Sequence, residues 1–242
     1  MNKLAKIIRL VGVGMLLCAL LLTLYNLWDD HRAAEQAETA EASLRLARQQ
    51  SLQAEQFQLP QTEEYQLPFY EEFPDVQMPV ITLNGTDYVG TLEIPSKSLS
   101  LSVIDTWSYP NLKKSPCRYS GSAYRGDLVL CAHNYSTHFG CLASLEPGTS
   151  VVFTDCDGNV FRYEVTEMVI LPPDGIEEMQ KGDWDLTLFT CTLGGATRVT
   201  VRCNLVESVP AGEEKLSLNS AKATPHNCVC ESQPSFCPTS SV

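Results

Sequence analysis

The sequence predicts a mainly β domain, a sandwich or barrel of short strands, preceded by one apolar helix and a helical stalk. Three observations carry this. Between residues 80 and 206, short runs rich in β-branched and aromatic residues alternate with turn signals, and helical texture is scarce. Residues 10–28, LVGVGMLLCALLLTLYNLW, carry no charge. Residues 29–58 contain neither Gly nor Pro and are rich in Ala, Glu, Gln, Leu and Arg, a good helix composition.

The apolar segment comes first. As a helix it would rise roughly 28 Å, close to the roughly 30 Å of a bilayer core. Tyr25 and Trp28 stand at its far end, where amphipathic rings favour the interface. Lys3, Lys6 and Arg9 precede it, and Asp29 and Asp30 follow. The positive-inside rule then puts residues 1–9 in the cytoplasm and residues 29–242 outside a single-pass cell-membrane anchor. A cleaved signal peptide would have an apolar run of about 7–15 residues ending in small residues. This run is longer and ends NLWDDH, so an uncleaved anchor at 10–28 is expected.

In the stalk, 29–58, the apolar positions Ala33, Ala37, Ala40, Leu44, Leu46 and Leu52 are small or scattered. They suggest a membrane-proximal helix rather than one packed on a domain. Residues 59–80 hold Pro60, Pro68, Pro74 and Pro79 and read as an extended arm that lies on something or stays mobile.

The domain is expected over 81–207. Asn84-Gly85 lies between two strand-like runs, a strong hairpin signal. LSLSVID (99–105) is a strand, 106–126 is turn-rich, and GDLVLCAH (126–133) is a short buried strand. A short helix fits 138–146. SVVFTD and VFRYEVTEMVIL form a hairpin that turns at Asp157-Gly158-Asn159. After Pro172-Pro173, GIEEMQ fits a helical turn or two, and DLTLFTC (185–191) and TRVTVRCNLV (197–206) are the last strands. Residues 208–242 lose this alternation and read as a disordered tail holding Cys228, Cys230 and Cys237.

Composition narrows the function. A net charge of −12 leaves no basic footprint for nucleic acid. A hydrophobic content of 44% with 19% charged residues excludes a wholly disordered chain. Ten cysteines in 242 residues are too sparse for a disulfide-built scaffold, so they need another account.

The last two strands supply one. A hairpin centred on Gly194-Gly195 pairs residues whose numbers sum to 389, which sets Cys191 opposite Arg198. Directly paired side chains have Cβ atoms about 4.5–5.5 Å apart. A guanidinium there favours the thiolate and can donate to an oxyanion formed nearby. Arg202 lies about 13 Å further along the same face and is the weaker candidate. Alone, Cys191 has a second reading as a buried, inert thiol, and the pairing leaves both open. A cysteine nucleophile calls for an acid/base group. His31 lies in the stalk and His226 in the tail. His133 ends the run DLVLCA where a strand meets a loop, and is favoured over His138, a surface or packing residue.

These residues carry a family resemblance. TLFTC (187–191) is similar to the T-L-x-T-C signature of sortases, the cysteine transpeptidases of Gram-positive cell surfaces. TLEIPSKSLSLSV (91–103) resembles their opening strands, GDLVLCAHNYSTHFGCLASL (126–145) their histidine segment and RVTVR (198–202) their arginine strand. The likeness spans roughly 88–206. It implies a closed sortase-type β-barrel with short helices. It implies Cys191 as nucleophile, His133 as acid/base and Arg198 as oxyanion and substrate stabiliser. Thr190 could hold substrate, or could point to the opposite face as strand alternation equally allows.

The resemblance also implies partners: surface proteins bearing a C-terminal LPxTG-like sorting signal, cleaved between Thr and Gly. The acyl group then passes to an amine of a peptidoglycan precursor or a pilin. The Asp-Pro-aromatic lid motif of pilus-building sortases is absent, which favours wall anchoring. The Cys-to-Arg spacing of seven, and little room for a long helix in 172–184, leave the subclass unassigned. No cofactor is expected. One sortase class binds calcium, but no carboxylate cluster here identifies a site. A hydrolase using water as acceptor and a non-enzymatic anchored β-domain are the alternatives. Leu59-Pro60-Gln61-Thr62-Glu63 in the arm reads as a chance match to the sorting motif or as a pseudo-substrate. The tail cysteines, with His226, lack the usual C-x₂-C spacing of a metal site.

Overall fold

A computed structural model describes the backbone of residues 3–56 and 69–211. The LPQTE segment and the tail cysteines lie outside the described residues.

Among the described residues nine strands follow one long helix, α1 (Lys3–Gln56). They are β1 (Ile81–Leu83), β2 (Thr86–Ile94), β3 (Leu99–Ile104), β4 (Cys117–Ser120), β5 (Leu128–Cys131), β6 (Ser150–Asp155), β7 (Val160–Leu171), β8 (Leu186–Cys191) and β9 (Arg198–Val209). The short helix α2 (Phe69–Glu72) precedes β1, and α3 (Tyr109–Leu112) and α4 (Ile176–Gln180) lie between strands. The sheet runs β1-β2-β3-β4-β5-β8-β9-β7-β6, and pairing of β2 with β6 closes it into a barrel. The expected closed barrel is thus the architecture present.

The predicted hairpins form for the reasons given. Asn84 and Gly85 both have positive φ, 51° and 74°, the backbone that a two-residue hairpin turn requires. Gly90 sits where β2 must approach β6: a Cβ there would lie 2.3 Å from the Thr154 carbonyl oxygen. The interior is packed by alternate residues of the strands, among them Leu92, Val103, Leu130, Phe153, Phe161 and Leu188. β4, in the stretch read as turns, is the strand that the sequence did not announce.

The segment 29–58 departs from the expectation of a stalk. Its described residues, 29–56, are helical, and the face through Ala33 and Leu44 docks on the barrel. Ala33, Ala37 and Leu44 are buried, and Ala40 is partly so. Their spacing of four, three and four puts them on one helix face. Alanine brings the helix close to the barrel wall, and Leu44 completes a second cluster with Tyr88, Ile104, Cys117, Cys131 and Cys156. Polar contacts flank this seam. Arg45 pairs with Glu41 at 2.6 Å and Glu93 at 2.9 Å, and Arg48 donates to the Thr154 carbonyl at 3.2 Å. By contrast, residues 10–28 are exposed throughout, apolar and helical. Among the described residues α1 is the one helix long and apolar enough to cross a membrane.

The described part of the arm lies on the barrel. Tyr70 stacks on Tyr124 with ring centroids 4.8 Å apart, and the Met78 sulfur accepts from the Ala123 N–H at 3.4 Å.

Candidate active site

Three neighbouring strands bring the candidate residues together. β8 and β9 pair antiparallel in the expected register, with Cys191 opposite Arg198. β5 and β8 pair in parallel from Leu128 with Leu186 to Cys131 with Phe189, an offset of 58. The ladder continues past β5: the Ala132 N–H donates to the Phe189 carbonyl at 3.3 Å. One more residue at that offset sets His133 beside Cys191. Adjacent backbones in a sheet lie about 4.8 Å apart. His133, Cys191 and Arg198 therefore stand in one row across β5, β8 and β9, at the ends where the strands open into loops.

Thr190 staples β8 to the end of β5. Its side chain is 3% exposed, and its hydroxyl donates to the Ala132 carbonyl at 2.8 Å. Of the two readings of Thr190, the burial and this bond fit the one that points to the opposite face from Cys191. Strand alternation turns it into the barrel, while Cys191 faces the outer side and stays half-exposed.

The other residues sort by contact. Arg198 Nη1 donates to the carbonyls of Gly195 at 3.0 Å and Thr197 at 3.1 Å, which seats the guanidinium over its own turn. A guanidinium has five N–H donors, so donors remain for a ligand. Arg202 serves the structure instead. It bonds Glu167 at 2.6 Å and the Glu178 carbonyl at 2.8 Å, and lies 3.9 Å over the Trp184 ring.

His133 is partly buried, with no hydrogen-bond partner for its Nε2. Burial lowers its pKa below the usual histidine value; the Asp29 carboxylate opposes this and Lys113 adds to it. His138 is fully buried, and burial pulls its pKa down to about 4, as befits a packing residue. The seven described cysteines are free thiols. Cys117, Cys131 and Cys203 are buried, and burial raises each of their pKa values. Proximity of Cys117 and Cys191 adds to the rise for Cys131.

Sequence reasoning missed two residues beside His133. Tyr135 packs its ring 4.9 Å from the His133 ring, and its hydroxyl donates to Asp29 at 2.6 Å. Next to it, Ser136 donates its N–H to Asp30 at 3.1 Å. No local signal could have found Asp29, which is 106 positions from Tyr135. Among the described residues no group of three or more His, Cys, Asp or Glu is arranged to hold a metal ion.

The sortase-domain family model matches residues 92–206, from within β2 to within β9. Residues 92–206 therefore form a sortase domain. The matched stretch encloses the whole row of candidate residues, whereas α1 and the arm precede it. Comparison with curated proteins finds no significant match. Among solved structures the chain resembles sortase C from Clostridium perfringens, at 26% identity over 50% of this chain and 71% of that one, with a TM-score of 0.42. It also resembles sortase C1 from Streptococcus suis, at 27% identity over 52% and 76%, with a TM-score of 0.44. For sortase C1 from Streptococcus agalactiae the identity is 25% over 52% and 71%, with a TM-score of 0.46.

Proposed function

We propose that this sortase is a membrane-anchored transpeptidase using Cys191, His133 and Arg198. It cleaves an LPxTG-like sorting signal between Thr and Gly and passes the acyl group to an amine of a cell-wall precursor. The observation that carries the reading is the row of these three residues at the ends of β5, β8 and β9 within a sortase domain.

The Cys191 thiolate attacks the substrate Thr carbonyl carbon. A C–S bond forms, and the carbonyl electron pair moves onto oxygen. Arg198 donates hydrogen bonds to that oxyanion, in the role that fixed donors play for developing charge. As the oxyanion collapses, the C–N bond to Gly breaks, and His133 gives a proton to the leaving amine. The thioacyl enzyme is then attacked by the acceptor amine. A C–N bond forms, the C–S bond breaks, and the amine's proton passes to His133. The exposed apolar segment 10–28 supports the anchor, and the positive charges before it support an extracellular domain.

The test is mass analysis of an LPxTG-type peptide incubated with the protein and an added amine. Peptide–amine adducts are expected, lost in Cys191→Ala and His133→Ala and severely slowed in Arg198→Ala. Acid products alone would indicate a hydrolase, and full activity in Cys191→Ala would end the proposal. Faster transfer to a pilin lysine than to a wall-precursor amine would reassign the acceptor.

A further inference from the structure

The sortase-domain match begins at residue 92, yet the loop that bears His133 is tied to a residue 63 positions before it. The loop leaves β5 at Ala132 and returns at Phe139, whose N–H donates to the His133 carbonyl at 3.2 Å. Between them the chain reaches across to α1 at two successive residues. Tyr135 donates its hydroxyl to Asp29, and Ser136 donates its N–H to Asp30. The Tyr135 ring stands between the two histidines of the loop, 4.9 Å from His133 and 5.4 Å from His138. Asp29 is itself held by Arg32, at 2.6 Å, and Ala33 one turn on is fully buried. The anchor point is therefore fixed on the helix side as well.

Resting on the catalytic reading of His133, we propose that Asp29 is a positioning residue for it. Asp29 fixes Tyr135, and the Tyr135 ring sets where the His133 imidazole lies. Asp29 and Asp30 directly follow the apolar segment 10–28, so the helix leaving that segment and the histidine loop form one mechanical unit. A segment outside the sortase domain thus completes its site.

The tie should hold across the neutral range. The Tyr135 hydrogen bond, foremost, keeps the Asp29 carboxyl below the usual range, and burial raises the Tyr135 phenol to about 12, with the Asp29 bond adding to it. Asp29 acts on His133 from α1 and Lys113 from the segment after α3. His138 and Tyr135 face it from its own loop, and Cys191 and Arg198 from β8 and β9. Of these, Asp29 supplies the negative charge that favours the imidazolium.

The experiment uses the full chain in lipid nanodiscs, with peptide–amine transfer followed from acid to alkaline pH. In Tyr135→Phe and Asp29→Ala, kcat should fall on the order of tenfold with KM little changed, as for a misplaced reacting group. The double variant should be no worse than either single one, because both remove the same bond. Asp29→Asn keeps an acceptor for Tyr135 and removes the charge. It should retain more activity, and the pH-rate limb assigned to His133 should move to lower pH. Unchanged kcat and pH profile in all three, with His133→Ala inactive, would overturn the tie and leave the catalytic reading standing. A lowered melting temperature without a moved limb in Asp29→Asn would reduce Asp29 to a structural contact and overturn it too. An active His133→Ala would instead refute the reading beneath the proposal.

Discussion

Consider Thr190→Val. Valine has nearly the shape of threonine, so the packing inside the barrel changes little, but one hydrogen bond is lost. That bond, 2.8 Å from the Thr190 hydroxyl to the Ala132 carbonyl, is buried and lies between the strands that carry Cys191 and His133. Losing a buried bond and leaving its acceptor unpaired costs about 1–3 kcal/mol. For a domain of this size that lowers the melting temperature by roughly 3–6 °C per kcal/mol. The cost to catalysis should be out of proportion to this. With the staple gone, the end of β5 can drift from β8, and a displacement of about 1 Å between reacting groups can cost on the order of 100-fold. Thr187→Val is the control. Its hydroxyl is also buried, donating to the Met179 carbonyl at 2.9 Å and accepting from Trp184 Nε1 at 2.8 Å, but it lies three residues back on β8. Melting curves and transfer kinetics well below the transition should show both variants destabilised and only Thr190→Val slowed by more than tenfold. Equal activity in the two would refute the stapling argument, and with it the claim that the β5–β8 ladder sets the His133–Cys191 distance.

Three further outcomes follow from burial and charge. His138 is neutral in the fold, with its pKa near 4 against about 6.5 when unfolded, so stability is fully present above the unfolded value and declines as pH falls through this window. At about 1.4 kcal/mol per pKa unit the loss is on the order of 3 kcal/mol, and His138→Leu should remove most of that acid sensitivity in unfolding measured from pH 7 to pH 4. Leu44→Ala should cost about 2–5 kcal/mol in denaturant unfolding, because Leu44 is fully buried under the docked helix; a solvated stalk leucine would cost under about 0.5. Brief alkylation at neutral pH should modify the half-exposed Cys191 and spare Cys117, Cys131 and Cys203 until the protein is unfolded, as peptide mapping would read. A sorting-signal peptide should protect Cys191.

The β8–β9 register was readable because a tight glycine turn makes pairing a matter of arithmetic. Gly194 and Gly195 both take positive φ, and every pair in that ladder keeps the predicted sum. The β5–β8 register was not readable. These strands are parallel and far apart in sequence, so no turn geometry fixes their offset. His133 could be chosen over His138 from its place at a strand end, but its position beside Cys191 emerges only from the ladder. The docking of α1 was legible in principle. Ala33, Ala37, Ala40 and Leu44 repeat at four, three and four, but alanines weigh little in an apolar pattern, and a small-residue seam looks like scattered polarity. β4 escaped because Cys117–Ser120 is too short and mixed to show alternation.

These differences bear on how the site is held. Arg198 and Cys191 are fixed relative to each other by local pairing, which one hairpin supplies. His133 belongs to a strand that ends two residues earlier, so its placement depends on contacts made at long range: Thr190 from β8, the Phe139 N–H from its own loop, and Tyr135 held by Asp29. On the proposed roles, the nucleophile and its oxyanion donor are thus built into the sheet, whereas the acid/base is built onto it. The acid/base is where a change outside the barrel can reach the chemistry. A truncation that removes Asp29 with the apolar segment should therefore leave the Cys191–Arg198 pair intact while loosening His133. Cys191 in that protein should still be alkylated at close to the full-chain rate, while peptide–amine transfer falls; a parallel loss of both would mean that α1 supports the whole sheet edge instead.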